Sequence, residues 1–261
     1  MKKDWWDKEF HTLVTLGEST TAGGWADSPQ KSWPSQLTRT INEFQRVPVQ
    51  LINVGIGGNI LSPKSAGYEL GNPAAMERLD KHVFAYKPDL LVISYGLNDA
   101  CHGTPLELFC SELLALVGLV RQTSQSLIVL PGPYYMYKFD YPDGKATLDI
   151  FKQFNQGIAQ VAEQTQCLYV DLLSAYGEAD WMVHQDGMHA NNLGHRIVAN
   201  KIFETLAANC SGLSLETKEM EKYISRWRDE RPWQRDYGVH HEKNPTPTGS
   251  CVPERNLARP T

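Results

Sequence analysis

Five short apolar runs, each closed by turn residues, constrain this chain more than any other feature. They are Thr12 to Leu16, Val49 to Val54, Leu90 to Tyr95, Leu127 to Leu130 and Cys167 to Leu172. Each is nearly continuous in apolar residues instead of alternating, the pattern of strands buried on both faces. Longer stretches with helical periodicity lie between them. Trp33 to Phe44 follows the first run, and Asn72-Pro73 has the cap and first-turn chemistry of a helix start. Thr104-Pro105-Leu106-Glu107 has capping-box spacing and opens a helix to about Gln122. Thr147 to Glu163 places Ile150, Phe151, Phe154, Ile158 and Val161 on one face, and Asn192 to Ala207 does the same with Leu193, Ile197, Val198, Ile202 and Leu206. Strands alternating with helices predict an α/β fold, a parallel sheet covered on both faces. In such sheets ligands bind at the carboxyl ends of the strands, here just after Leu16, Val54, Tyr95 and Leu130.

Bulk properties narrow the function classes. A net charge of −5 and an isoelectric point near 5.9 are a poor match to phosphate neutralisation along nucleic acid or to anionic membranes. The longest apolar stretches, around Leu90 to Ser94 and Leu113 to Val120, are too short to span a bilayer. The five cysteines, Cys101, Cys110, Cys167, Cys210 and Cys251, are scattered without a CxxC pair, which argues against a disulfide framework or zinc knuckle. Cys101 and Cys110 are near enough in sequence to pair, but Cys110 reads as a helix residue. The start, Met1-Lys2-Lys3-Asp4-Trp5-Trp6-Asp7-Lys8-Glu9, lacks the apolar core of a signal peptide. The expectation is a cytoplasmic protein, or a secreted one if a leader was removed. After about Ser211 the composition shifts. Residues 216–235 are densely charged and include Trp227 and Trp233, and a Pro-, Gly-, Thr- and Asn-rich stretch follows. A main domain over 1–210 and an extension over 211–261, a charged helix and an irregular tail, are expected.

Four short motifs sit where the sheet would present them. The first strand ends in Gly17-Glu18-Ser19, putting a hydroxyl at the carboxyl edge. The second ends in Asn53-Val54-Gly55-Ile56-Gly57-Gly58-Asn59, whose glycines let the backbone approach a ligand and let Gly58 donate its N–H. The third ends in Gly96-Leu97-Asn98-Asp99, where the Asn98 amide can aim into the same crevice. Near the end stands Asp186-Gly187-Met188-His189, a carboxylate able to fix the tautomer of an imidazole three residues on. Singly, each has a plainer reading: a turn serine, a flexible connection, an Asx-turn, a helix-capping aspartate beside a surface histidine. His184 and His195 lie near the last motif, but no HExxH-type metal spacing is present.

Together and in this order, the motifs resemble the SGNH/GDSL hydrolase family, whose four blocks supply Ser, Gly, Asn and His. The resemblance covers about residues 10 to 208. It implies a flavodoxin-like three-layer α/β/α sandwich with a five-stranded parallel sheet. It implies Ser19, Asp186 and His189 as catalytic triad, an oxyanion hole of the Ser19 and Gly58 N–H groups with the Asn98 side chain, and neither metal nor organic cofactor. One departure is plain: Glu18 stands where the block usually has Asp. That position is outside the triad, so local hydrogen bonding is affected and the reaction class is not.

The resemblance allows acetylated sugars, lysophospholipids, thioesters and aryl esters. Trp25, soon after the serine, and Tyr134 in Pro131-Gly132-Pro133-Tyr134-Tyr135-Met136-Tyr137 are candidate substrate contacts, with loop packing the alternative for both. The absence of a long apolar lid favours a short O-acyl group, O-acetyl first, on a carbohydrate-like alcohol. Rival readings are a lysophospholipase or thioesterase, an acyltransferase using the same site, and an inactive binding module of the same fold. Trp227 and Trp233 leave open a partner, or a second copy, docking on the extension.

Overall fold

The order of the strands explains how motifs far apart in sequence reach one edge. The computed structural model describes residues 2–69, 72–140 and 144–223. Five parallel strands, β1 (Thr12–Gly17), β2 (Gln50–Asn53), β3 (Leu90–Ser94), β4 (Leu127–Pro131) and β5 (Leu168–Val170), line up as β2-β1-β3-β4-β5. The chain moves outward from β1 in one direction, then crosses back to build the other side. The crevice at that reversal is where α/β sheets bind ligands. β1 lies at the reversal, with Gly17 paired to Ser94 of β3 and Thr15 to Asn53 of β2. The three strand ends therefore meet side by side.

The helices are α1 (Ser19–Ala22), α2 (Trp33–Asn42), α3 (Leu79–His82), α4 (Leu97–His102), α5 (Leu106–Thr123), α6 (Leu148–Gln164), α7 (Leu172–Tyr176), α8 (Asn192–Asn209) and α9 (Leu215–Met220). α2 packs on α8 and α5 on α6, and these pairs flank the sheet. Leu13, Val14 and Leu16 of β1 and Leu90, Leu91 and Val92 of β3 are completely buried between them, with Trp33, Leu37, Phe109 and Phe151 contributed by helices. Full burial of a side chain this size removes enough apolar area to stabilise the fold by about 1.5–3 kcal/mol. Polar helix starts follow from the sequence: Thr147 accepts from the Ile150 N–H, and Asn191 accepts from the N–H groups of Leu193 and Gly194.

Several expectations are corrected. β2 is an edge strand and only half buried, with Leu51 and Ile52, on opposite faces, each partly exposed. No α-helix starts at Asn72-Pro73. A 3₁₀ turn over Ala75–Glu77 and the short α3 occupy that stretch, and the Asn72 amide is engaged with Asn59 and Gly57 instead of capping. α5 forms, but its capping box does not: the Thr104 hydroxyl lies against Asp99 and accepts from the Ala66 N–H. Cys101, Cys110, Cys167 and Cys210 are free thiols. Residues 211–214, assigned from composition to the extension, form a 3₁₀ turn against the N-terminal segment. There the Gly212 N–H reaches the Trp6 carbonyl at 3.0 Å.

One compact unit runs to Leu215 and a second begins at Glu216. Of the second, the described part is the remainder of α9 and the turn to Tyr223, with exposed Lys218–Glu221 and Lys222–Glu219 pairs. The rest of the charged stretch, including Trp227 and Trp233, and the tail lie outside the described residues. Among the described residues no helix is long and apolar enough to cross a membrane.

Candidate active site

Ser19 opens α1 directly after β1, one residue past Glu18. The turn demands glycine at position 17, because a Cβ there would lie 2.2 Å from the Thr21 hydroxyl and 2.7 Å from the Ser94 carbonyl. Any side chain would push β1 from β3 and misplace the serine. Behind it, the buried Tyr134 hydroxyl lies 2.5 Å from the Thr20 hydroxyl, its ring packed on Tyr176 at 5.3 Å. The Ala190 N–H also donates to that phenol, and burial drives its pKa well above the ordinary value. Tyr134, expected to face substrate, instead braces the serine turn from inside the core.

The His189 ring spans the gap between the other two expected residues. Its Nε2 lies 2.9 Å from Ser19 Oγ and its Nδ1 lies 2.7 Å from Asp186 Oδ2. The other Asp186 oxygen accepts from the N–H groups of Met188 and His189 at 3.0 and 3.1 Å. Burial raises the Asp186 pKa, but these bonds and the imidazole outweigh it and hold the carboxyl below its usual range. Burial lowers the pKa of His189, partly offset by Asp186, so the ring is neutral at neutral pH. With Nδ1–H directed at the carboxylate, Nε2 is left as acceptor for the serine proton.

This loop is pinned at several points. Val183 and Ala190 form an antiparallel bridge across its neck, and the His184 N–H donates to the His189 carbonyl at 2.7 Å. After β4, the N–H groups of Tyr137 and Lys138 both reach the Gly187 carbonyl at 3.0 Å. The Asn191 side chain caps α8 and donates to the carbonyls of Trp181 and Val183. His184 and His195 have other duties. His184 Nδ1 accepts from the Asp186 N–H, while the fully buried His195 links the Gly24 carbonyl to the Trp33 N–H. Among the described residues no group of three or more His, Cys, Asp or Glu is placed to hold a metal ion.

Trp25 covers one face of the imidazole. Its indole is stacked on His189 with centroids 3.5 Å apart and planes 9° from parallel, and the residue is 44% exposed. Sequence alone gave no sign of this stack.

The strand ends beyond Ser19 are joined by a buried polar network that the sequence did not single out. Gly58 stands in the left-handed region at φ 64°, exposed, at the tip of the loop after β2. The next residue, Asn59, is fully buried. Its amide donates to Asn72 and Pro73, its side-chain oxygen accepts from Arg78 at 3.0 Å and Tyr95 at 2.6 Å, and its carbonyl accepts from Asn98 Nδ2 at 2.9 Å. The Asn98 NH2 has a second proton beyond the one given to Asn59. Arg78, also buried, donates to the Val54 carbonyl at 2.6 Å, tying the base of the glycine loop to the same centre.

Glu18 is part of this network. Its Oε1 accepts from the N–H groups of Gly96 and Asn98 at 3.2 and 3.0 Å, binding the serine turn to the start of α4. Complete burial, with Asp99 close by, pushes its pKa well above the carboxylate range. Burial likewise raises Asp99 to about 6. The longer side chain at position 18 thus reaches the backbone of the third motif, with burial favouring its neutral form. Lone residues such as Arg78 and Tyr95 carry no motif. The only linear hint was Asn59 directly after the glycines.

Chemically, this is a hydroxyl beside a neutral imidazole backed by a carboxylate, with the Asn98 amide bonded to the residue that follows Gly58. The GDSL-like Lipase/Acylhydrolase family model matches residues 15–197. An arylesterase of Vibrio mimicus is 27% identical over 180 residues, covering 68% of this chain and 78% of that protein. An acetylxylan esterase of Geobacillus stearothermophilus is 26% identical over 170 residues, 60% of this chain and 71% of that protein. Among solved structures, the lipase/acylhydrolase from Enterococcus faecalis has a TM-score of 0.61 at 23% identity and covers 76% of this chain and 96% of that one, a likeness of fold. The family match spans all four motifs and the sheet from the end of β1 to β5, and the chain belongs to the GDSL-like lipase/acylhydrolase family of carboxylic ester hydrolases.

Proposed function

We propose that the protein removes a short O-acyl group, O-acetyl first, from a carbohydrate-like alcohol through an acyl-enzyme on Ser19. The carrying observation is the unbroken line from Asp186 to His189 to Ser19, with contacts of 2.7 and 2.9 Å. Ser19 Oγ attacks the ester carbonyl as its proton passes to His189 Nε2. Asp186 holds the tautomer and stabilises the imidazolium. The tetrahedral oxyanion is held by the Ser19 and Gly58 N–H groups and the second Asn98 amide proton. The C–O bond then breaks, His189 returns the proton to the leaving alcohol oxygen, and water repeats the sequence to release the acid.

Two features support a short acyl group. Tyr134 and Met136, which follow β4, are buried in the core, and the Tyr134 hydroxyl meets Thr20 beside the nucleophile, so bulky side chains occupy the core next to Ser19. The acetylxylan esterase similarity agrees with an acetyl ester. The test is hydrolysis of p-nitrophenyl acetate, butyrate and octanoate beside the Ser19→Ala variant. Rates should fall with chain length and vanish in the variant. Octanoate turning over fastest would overturn the short-acyl assignment, and no turnover above the variant would overturn the reading altogether.

A further inference from the structure

We propose that Trp25 is a positioning residue for the base, holding the His189 ring in line with Ser19 and stabilising the imidazolium that forms during acylation. The proposal rests on the reading of His189 as general base.

The stack itself is the first observation. Two neutral aromatic rings prefer offset or edge-on arrangements to a close parallel one. A cation over the indole face is attracted by the ring's negative π-cloud. Centroids 3.5 Å apart with planes within 9° suit an imidazole that becomes positive better than one that stays neutral. When His189 Nε2 takes the Ser19 proton, the new charge lies between the Asp186 carboxylate in its plane and the Trp25 face above it.

The second observation is the backbone that delivers the indole. Trp25 has φ 63°, in the left-handed region that a bulky side chain rarely adopts. Such a conformation persists where neighbours over-determine it, and it clusters at functional sites. Here both flanks are tied down. The Gly24 N–H donates to the Ser19 carbonyl at 2.9 Å, and the Gly24 carbonyl accepts from His195 on α8 at 3.0 Å. On the other side the Asp27 N–H donates to Asn192 at 3.0 Å, also on α8, and the Asp27 carboxylate accepts from the Asn192 amide and from Lys31. The turn bearing Trp25 is thus fastened to the nucleophile at one end and to the helix after His189 at the other.

Charged and titratable groups around the ring are Asp186 and His184 from its own loop, Ser19 from α1 and His195 from α8. Trp25 acts on His189 in two opposing ways. Its cover excludes water and disfavours the cation, while its π-face favours the cation. Trp25→Leu separates them, because leucine retains apolar cover and lacks the π-face.

With p-nitrophenyl acetate, Trp25→Leu should lower kcat roughly 3- to 30-fold with KM little changed. The acid limb of kcat/KM should move to lower pH by about half to one pH unit, with Trp25→Phe intermediate. A rise in KM alone would make Trp25 a substrate contact and overturn the proposal, as would an unmoved acid limb with unchanged kcat. A readout without turnover guards against misfolded variants and against failure of the esterase reading. The emission difference between the wild-type protein and Trp25→Phe isolates this indole. It should be quenched as pH falls, in the wild type and on a Ser19→Ala background alike, and the step should vanish with His189→Asn. Emission flat through that range would overturn the proposal even if no ester were ever cleaved.

Discussion

On one side of Ser19 the chain holds its groups with buried polar atoms; on the other it uses a surface loop. Asn59, Arg78, Tyr95, Asp99 and Glu18 are almost entirely removed from water and bond chiefly to one another and to backbone. Asp186 and His184 keep about a third of their side chains exposed, and His189 is sheltered by a tryptophan that is itself 44% exposed. The contrast follows from the work proposed for each side. Donors to an oxyanion keep the same charge throughout and gain from a rigid, low-dielectric frame. A base must accept and return a proton, and deep burial would make its cation prohibitively costly.

The two sides also respond to pH with opposite signs. Glu18 and Asp99 bind protons more tightly in the folded state than in the unfolded chain. Their contribution is full below the ordinary carboxylate range and is lost as pH rises, through about 6 for Asp99. Asp186 and His189 bind protons less tightly when folded. Their contribution is present above the ordinary values of 3.8 and 6.5 and is lost as pH falls.

The strongest challenge to this division is loss of the proton relay. Ser19→Ala and His189→Ala should each lower kcat by about 10⁴- to 10⁶-fold while urea denaturation midpoints stay near wild type. A large stability loss in His189→Ala would mean that the loop is structural. Next, Asn98→Ala should cost about 10²–10³ in kcat, and it should also destabilise, because the Asn59 carbonyl loses its donor. An activity loss without any stability loss would separate Asn98 from the buried network. Third, unfolding measured from pH 4 to pH 7 should show a decline that Asp99→Asn flattens, by roughly 3 kcal/mol across the range. The smallest effect belongs to Glu18→Gln. The amide keeps an acceptor for the Gly96 and Asn98 N–H groups, so stability near neutral pH should change by under about 1 kcal/mol. Glu18→Ala leaves both donors unpaired and should lose about 1–3 kcal/mol for each. Equal effects of the two substitutions would show that Glu18 acts through its charge.

The sequence made the first side of this comparison hard to read and the second easy. Asp186 and His189 are three apart and carry a motif, whereas Arg78, Tyr95 and Asn59 meet only after β1, β2 and β3 pair. β1, β3 and β4 were legible because burial on both faces leaves continuous apolar runs, and β2 was over-read because an edge strand looks alike in one dimension. Asn72 and Thr104 misled for one shared reason. Each has the chemistry of a helix cap, and each found a better tertiary partner, Asn59 for one and Asp99 for the other. Trp25 was singled out as a substrate contact; its stack depends on a left-handed backbone that no residue type announces.

Ser19 and His189 stand 170 positions apart, and α8, which follows the His189 loop, is the last helix of the sheet-covering layers. Contacts of such separation form late, since the loop between them must be closed first. On the proposed mechanism, a chain emerging from the ribosome holds its serine early and cannot use it until the His189 loop reaches α1. Recovery of esterase activity during refolding should therefore time the final assembly of the sandwich, trailing the return of secondary structure, and a chain truncated before His189 should cleave no esters.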